Sequence, residues 1–390
     1  MSEQPKSPET THVVSLEEAV IAPGKAGASE RYYYASQWEL IRWRFSRHRV
    51  AVFSLVFLVI LYLLAIFAEF VSPYTVDTRF EAFSKGAPPS RIHWIKPGGG
   101  FQPYIFALTR KLDQETFKFV YTEDKSQVIP IRFFVHGEPY KLWGQIKTDI
   151  HLFGVTNSTT PLLLFGADRL GRDLLSRTIY GSRISLSIGL VGVFISFVLG
   201  VILGGISGYF GGVVDDIIQR VIDFLLAIPG LPLWITLAAA LPRDMPTLQL
   251  YFWITVMLSI LGWTGLARVV RGKLLALREE DYALAARGTG ASNWRIITRH
   301  LLPGFTSHLI VSITFSVPGM ILNETALSFI GVGIQPPAVS WGTLLQDAQN
   351  LTAVAQQTWL MIPAIWVIVT VLLFNFVGDG LRDAADPYNR

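Results

Sequence analysis

The sequence has no cysteine, and only 16% of its 390 residues are charged. The first absence removes disulfides, a thiol nucleophile and Cys-ligated zinc or iron–sulfur sites, so any part facing an oxidising compartment folds without covalent cross-links. The second separates the chain from soluble domains, in which about a quarter of residues are charged. Apolar residues take the place of charge: 51% are hydrophobic and 13% aromatic, and mean hydropathy is +0.41. Such a composition marks a membrane protein. Two catalytic signatures are missing as well. "VVRGKLL" lacks the first Gly and the final hydroxyl of a phosphate-cradling Gly-x-x-x-x-Gly-Lys-Ser/Thr loop, and no His is followed by Glu as in a zinc-protease helix. The chain is therefore expected to bind no cofactor or metal and to hydrolyse no nucleotide. No nucleic-acid motif accompanies the net charge of +4.

Six stretches are long and apolar enough to cross a hydrocarbon core, which takes roughly 20 residues. They run about 50–71, 182–208, 217–241, 249–270, 304–325 and 359–379. The first follows "RWRFSRHR" and has no small-residue cleavage site after it, so it reads as an anchor and not a removable signal. Arg42, Arg44, Arg47 and Arg49 precede it. Arg271, Lys273, Arg278, Arg287, Arg295 and Arg299 lie between the fourth and fifth, whereas 326–358 has no Lys or Arg. Because cytoplasmic loops collect Lys and Arg, both termini are predicted to face the cytoplasm.

This topology divides the chain. Residues 1–30, rich in Ser, Glu, Thr and Pro, read as a disordered cytoplasmic tail. Over 31–49, Tyr34, Trp38, Ile41 and Phe45 recur at helical spacing among arginines, as in an amphipathic helix at the headgroup surface; a solvated tail is the alternative. Residues 72–180 form a large extracytoplasmic insertion broken by "PPS" and "PGGG", in which "TFKFVYT" and "IPIRFFVH" predict two or three strands. It is expected to flank or cover the entrance, either receiving a partner or acting as a plug. A five-helix core, 181–380, carries a basic loop at 271–303, and 381–390 is a short cytoplasmic tail.

The second span contains the small-xxx-small pairs Gly200/Gly204 and Gly204/Gly208, which let helix backbones approach closely where lipid offers no hydrophobic drive. Helix packing is the plain reading. "GISG" at 205–208 also has the form of an intramembrane serine protease, with Ser207 as nucleophile and His308 as its base, a weak four-residue match. Ionisable residues inside spans often mark ion paths. Here Asp215, Asp216, Arg220, Asp223, Glu324 and Asp379 fall toward span ends, where charge is tolerated, and an ion-coupled carrier would more often place them at mid-depth.

"DYALAARGTGASNWRIITRHLLPG" (281–304) interrupts this apolar pattern with a basic, glycine-punctuated segment. Asp281 can help cap a short helix in which Tyr282, Ala285 and Ala286 share a face. Gly290 permits a reversal, Ser292 can cap a second helix with Trp294, Ile297 and Leu301 on one side, and Pro303 marks entry to the fifth span. The pattern predicts two short helices presenting small residues to another protein's groove; an ordinary surface loop has the same outline.

The segment resembles the EAA loop of ABC importer permeases, and "YALAARGTGAS" followed by "RHLLP" is similar to the form in oligopeptide and dipeptide permease subunits of the C type. Ala285, Ala286, Gly290, Leu302 and Pro303 take that motif's positions, with Leu284 where a Glu is usual. "FGADRLGRDLLSR" (165–177), "ALSFIGVGIQPPAVSWGTLL" (326–345) and "FNFVGDGLRDAADP" (374–387) resemble further stretches of the family; 75–160 matches none. The resemblance implies an all-α, six-helix type I ABC importer permease bundle with an enlarged insertion of some β content, in a bacterial inner membrane. It implies a second homologous permease, two ABC ATPase subunits holding ATP and Mg, and an extracytoplasmic substrate-binding protein. The cargo it implies is di- or oligopeptide, with carriers of oligosaccharide or nickel among similar proteins.

Overall fold

The computed structural model describes residues 36–386 apart from 96–99, 113, 116–118, 157–159, 243–244 and 351–354. The expectations for 1–30, Tyr34 and most of "PGGG" lie outside these residues. Helix α1 (Gln37–Arg47) starts with a capping box in which Ser36 and Glu39 satisfy each other's backbone N–H. Trp38 on it is exposed, while Ile41 and Phe45 are half-buried. After His48 the chain enters α2 (Arg49–Ile66), the first membrane-spanning helix, and then a single turn, α3 (Ala68–Val71).

Among the described residues the insertion is a four-stranded antiparallel sheet in sequential order: β1 (His93–Ile95), β2 (Phe101–Leu112), β3 (Phe119–Leu142) and β4 (Ile146–Val155). That is one strand more than the upper expectation. The described part of "TFKFVYT" and all of "IPIRFFVH" fall in the same 24-residue β3. This strand pairs with β2 through its first half and with β4 through its second, with register shifts in both ladders. One face of the sheet buries Ile105, Ala107 and Ile129 against Leu162, which ties the insertion to the approach of the next span.

The core follows: α4 (Leu174–Phe210), α5 (Gly212–Ala227), α6 (Gly230–Ala239) and α7 (Thr247–Leu277), then α8 (Asp281–Gly288) and α9 (Asn293–Arg295). A π-helical turn (Ile296–Leu301) and a 3-10 turn (Leu302–Phe305) lead into α10 (Thr306–Phe329), and α11 (Trp341–Gln346) and α12 (Ile362–Ala385) complete it. Among the described residues five helices are long and apolar enough to span a membrane, and six when α5 and α6 count as one.

That pair corrects the sequence reading of 217–241 as one straight span, because α5 and α6 meet at 85°. Pro229 clashes with a helical conformation at the residue before it, and Ile228 is extended at φ −89° and ψ 123°. Proline stops one helix and its fixed φ starts the next. α12 continues to Ala385, so 381–385 of the C-terminal tail are helical.

The bundle core gathers Leu186, Val193, Leu258, Val317, Ile321, Trp341 and Phe374 from α4, α7, α10, α11 and α12. Along the α4–α7 seam, a Cβ on Gly208 would sit 2.7 Å from the Arg271 carbonyl oxygen, and one on Gly204 would collide with the backbone of Ala267. Gly200 instead faces the Leu266 side chain. The two backbones touch where α4 carries glycine.

Candidate functional site

The basic loop folds as two short helices joined by a tight reversal. α8 ends in a Schellman arrangement: the Ala291 N–H donates to the Ala286 carbonyl over 3.1 Å, and the Gly290 N–H to that of Arg287 over 3.0 Å. Gly290 has φ +80°, the left-handed region that a Cβ disfavours. Ser292 caps α9 by accepting from the Arg295 N–H over 3.4 Å. Asp281 does not cap α8. The N-cap is Glu280, with no side-chain bond, and Asp281 occupies the first turn, where its charge favours the helix dipole.

The faces differ from those predicted. Ala283 is buried and Ala286 half-buried in a cluster that joins the loop's Ile296, Ile297 and Leu301 to Leu274 of α7 and Leu309 of α10. Ala285 is exposed together with Tyr282, Leu284 and Trp294. Trp294 leaves the face of Ile297 and Leu301 because the chain opens into a π turn at Ile296, where α-helical spacing no longer holds. Leu302 packs half-buried on the same cluster, and Pro303 is exposed in the 3-10 turn. The outward surface is therefore apolar and aromatic, flanked by the exposed cations Arg287, Arg295 and Arg299.

This loop is held to the ends of the spans. The Tyr209 hydroxyl, from the last turn of α4, donates to the Asn293 side-chain oxygen over 2.9 Å, and the Arg287 guanidinium lies 5.7 Å from the Tyr209 ring. Arg278 donates to the carbonyls of Gly208 and Tyr209 over 3.1 and 3.2 Å. About two turns deeper, Arg271 of α7 grips Asp215 of α5 with two bonds of 2.5 Å, and Asp215 accepts the Ser207 hydroxyl of α4 over 2.5 Å. Three helices thus share one ionic knot.

That knot accounts for the "GISG" serine. Ser207 is buried, gives its proton to Asp215 and accepts from Gln219, so its hydrogen-bond partners are a carboxylate and an amide and not His308. His308 instead lines a cavity of about 1110 Å³ with Ile41, Gly262, Lys273, Phe315 and Arg382. Among the described residues no three His, Asp or Glu side chains converge as a metal site.

The opposite end of the bundle is closed by two of the motif stretches. Asp168 accepts from the N–H groups of Leu170 and Arg172 and from the Arg172 guanidinium, and Asp173 caps α4 through the Ser176 N–H over 2.7 Å. Burial pushes the Asp173 carboxyl up to about 6, against the pull of its Ser176 bonds. Trp341 is fully buried, its indole donating to the Thr178 carbonyl over 3.1 Å. Glu324 lies toward the end of α10, as expected, and is wholly buried there, accepting the hydroxyls of Ser185 and Ser328 over 3.0 and 2.7 Å.

Residues 197–390 match the family of the binding-protein-dependent transport system inner membrane component, and 36–89 match the N-terminal TM domain of oligopeptide transport permease C. The chain is 42% identical over 225 residues to the dipeptide transport system permease protein DppC of Bacillus subtilis, covering 57% of this chain and 68% of that one. It is 39% identical over 244 residues to the oligopeptide transport system permease protein OppC of Haemophilus influenzae, covering 62% and 76%. The solved inward-facing MetNI methionine ABC transporter is similar at 18% identity and a TM-score of 0.44, over 55% of this chain and 98% of that one. With the bundle, the loop and the returning 326–345 segment in place, the identities to DppC and OppC show that the chain belongs to the inner-membrane components of binding-protein-dependent transport systems.

Proposed function

We propose that this chain is a permease subunit of an ATP-driven importer of di- or oligopeptides, and that residues 281–303 are the element through which separate ATPase subunits move it. The observation that carries the coupling role is the pair of short helices tied to α4 through Tyr209 and Asn293 while presenting Tyr282, Leu284, Ala285 and Trp294 outward. An apolar surface rimmed by cations suits a protein groove better than water. The peptide cargo is supported by the names of the relatives, which transport dipeptides and oligopeptides. In this reading a second permease completes the path, two ATPase subunits bind ATP and Mg, a binding protein delivers the cargo, and both termini are cytoplasmic. The chain itself is non-catalytic.

Purification from native membrane, identification of the co-purifying subunits and reconstitution with the binding protein test the whole reading. ATP-dependent uptake of a labelled dipeptide or tetrapeptide is the expected result. Uptake without ATP or partners would overturn the importer role, whereas uptake confined to an oligosaccharide or nickel would overturn the cargo alone.

A further inference from the structure

The second half of β3 runs back toward the membrane. Phe134 lies 6.3 Å from Phe70 between ring centroids, and the His151 ring of β4 donates to the Ser72 carbonyl over 2.6 Å. Nine residues later, at the hairpin tip, the Trp143 indole N–H donates to the Ile66 carbonyl over 2.9 Å and its ring packs on Phe67 at 5.5 Å. Ile66 is the last residue of the 18-residue α2, a helix about 27 Å long at 1.5 Å per residue. The same carbonyl accepts from Arg183, which forms an ion pair of 2.7 Å with Glu69. The tip is thus pinned at the depth where the spanning helix ends and the first ion pair begins.

At this depth the tip stays uncovered. Trp143 is 52% exposed and Ile146 54%, and Leu63 and Ile66 in the last turn of α2 are exposed as well. Lys141 and Lys147 oppose each other across the hairpin, both exposed. The backbone accepts an uncommon conformation here, with Phe134 at φ 53° and Trp143 at φ 52°, where bulky residues are outliers. A hairpin that needed only to turn would be served by Gly or Asn at such a position.

We propose that the β3–β4 hairpin is a membrane-interface foot, seating Trp143 and Ile146 in the headgroup–acyl boundary of the leaflet on the insertion's side with Lys141 and Lys147 at the lipid phosphates. An indole with its N–H engaged and its ring half-free suits that boundary. Two lysines one residue pair above the apolar tip match anionic headgroups in charge and depth. The Trp143 ring lies against Phe67, the residue directly after α2, so the tip meets the span where the span leaves the hydrocarbon. The foot then fixes the height of the whole sheet, because β4 and β2 are both paired to the strand that carries it.

The absence of cysteine makes the test direct. Single cysteines at Ile146 and, as a distal control, at Lys125 are labelled with a fluorophore in the assembled importer, reconstituted in phosphatidylcholine vesicles with and without phosphatidylglycerol. We expect the label at 146 to be quenched by lipids carrying a nitroxide near the headgroup and protected from iodide, and the label at 125 to show the reverse. Lys141→Glu with Lys147→Glu should lessen lipid quenching at 146 in the anionic vesicles and leave assembly intact. Iodide quenching at 146 equal to that at 125 would overturn the proposal. So would protection from both quenchers, which would identify a protein, either the second permease or the binding protein, as the true occupant.

Discussion

Tyr209 reaches from the last turn of α4 to the Asn293 side chain, 2.9 Å away, and is the hydroxyl that joins a membrane span to the start of α9. Phe at this position keeps the ring on which Arg287 lies and removes the bond alone. A net hydrogen bond contributes about 1 kcal/mol, within the range of coupling energies of about 1–3 kcal/mol. Tyr209→Phe should therefore lower substrate-stimulated ATP hydrolysis by about fivefold with unchanged subunit levels. A double-mutant cycle with Asn293→Ala checks it; strictly additive effects would show that the bond carries no coupling.

The parts of this loop differ in how far the sequence revealed them. Gly290 and Ser292 were legible because a positive φ and an N-cap each demand particular residue types. The side on which Trp294 lies was not, since no local residue announces that the helix will open into a π turn at Ile296. The break at Ile228–Pro229 was written in the sequence, but the unbroken hydropathy across it concealed the 85° bend. The ionic knot of Ser207, Asp215 and Arg271 spans three helices, and its members read separately as a motif serine, a span-end carboxylate and a cation of the basic loop. The sheet's length lay hidden for a similar reason, because β3 changes partner midway and a single strand looked like two.

That knot separates the two readings of Ser207. Ser207→Ala should leave transport near normal, losing about 1 kcal/mol of hydrogen bonding while preserving a small side chain against α7. Arg271→Leu leaves Asp215 without its bidentate cation in a partly exposed site and should cost about 1–2 kcal/mol, seen as lower yield and earlier thermal unfolding of the subunit. Cleavage of a membrane substrate that vanished in Ser207→Ala would defeat the packing reading.

Asp173 should make the mouth of the bundle sensitive to pH. Its folded value, near 6, stands above the ordinary 3.8 because burial disfavours the charged form. The protonated acid is thus the form the fold prefers. Stability contributed here is full below the ordinary value and is lost as pH rises through about 4 to 6, reaching a cost on the order of 3 kcal/mol for a difference of about two pH units. Asp173→Asn retains a capping oxygen for Ser176 and carries no charge. It should raise thermal stability above pH 7 and flatten its dependence between pH 4 and 7; an unchanged profile would refute the assignment.

Topology admits a simple check. The charge asymmetry predicts Asn350, exposed after α11, on the same side as the insertion and opposite the 281–303 loop. A single cysteine there should react with a membrane-impermeant maleimide added to intact cells, and one at Ala285 only after the inner membrane is opened. Labelling of position 350 from the cytoplasmic side alone would invert the arrangement.

Substitutions on the two faces of α8 distinguish docking from folding of the loop. Gly290→Val should distort the reversal: nothing lies within 4 Å of a Cβ built there, so the penalty comes from φ +80° and not from a clash. A left-handed residue with a side chain costs about 1–2 kcal/mol, and β-branching adds to it. Ala286→Trp would force a large ring between α8 and Ile296, Ile297 and Leu301, an overpacking of about 1–3 kcal/mol that loosens the loop from its own bundle. Ala285→Trp points outward and leaves that packing intact, so it should act only on whatever docks there. All three subunits should insert in normal amounts, because none of these positions lies within the membrane-spanning stretch of a helix. Hydrogen exchange across 281–303 should rise in Gly290→Val and Ala286→Trp and remain at the parent level in Ala285→Trp. ATPase association, stimulated hydrolysis and transport should fall in every one. A shift between two bundle states from 1:99 to 99:1 takes only about 5.5 kcal/mol, so losses of this size can be decisive. Full association and transport in Ala285→Trp, with the other two impaired, would show that the loop matters for the fold of the subunit and that its outward face docks nothing.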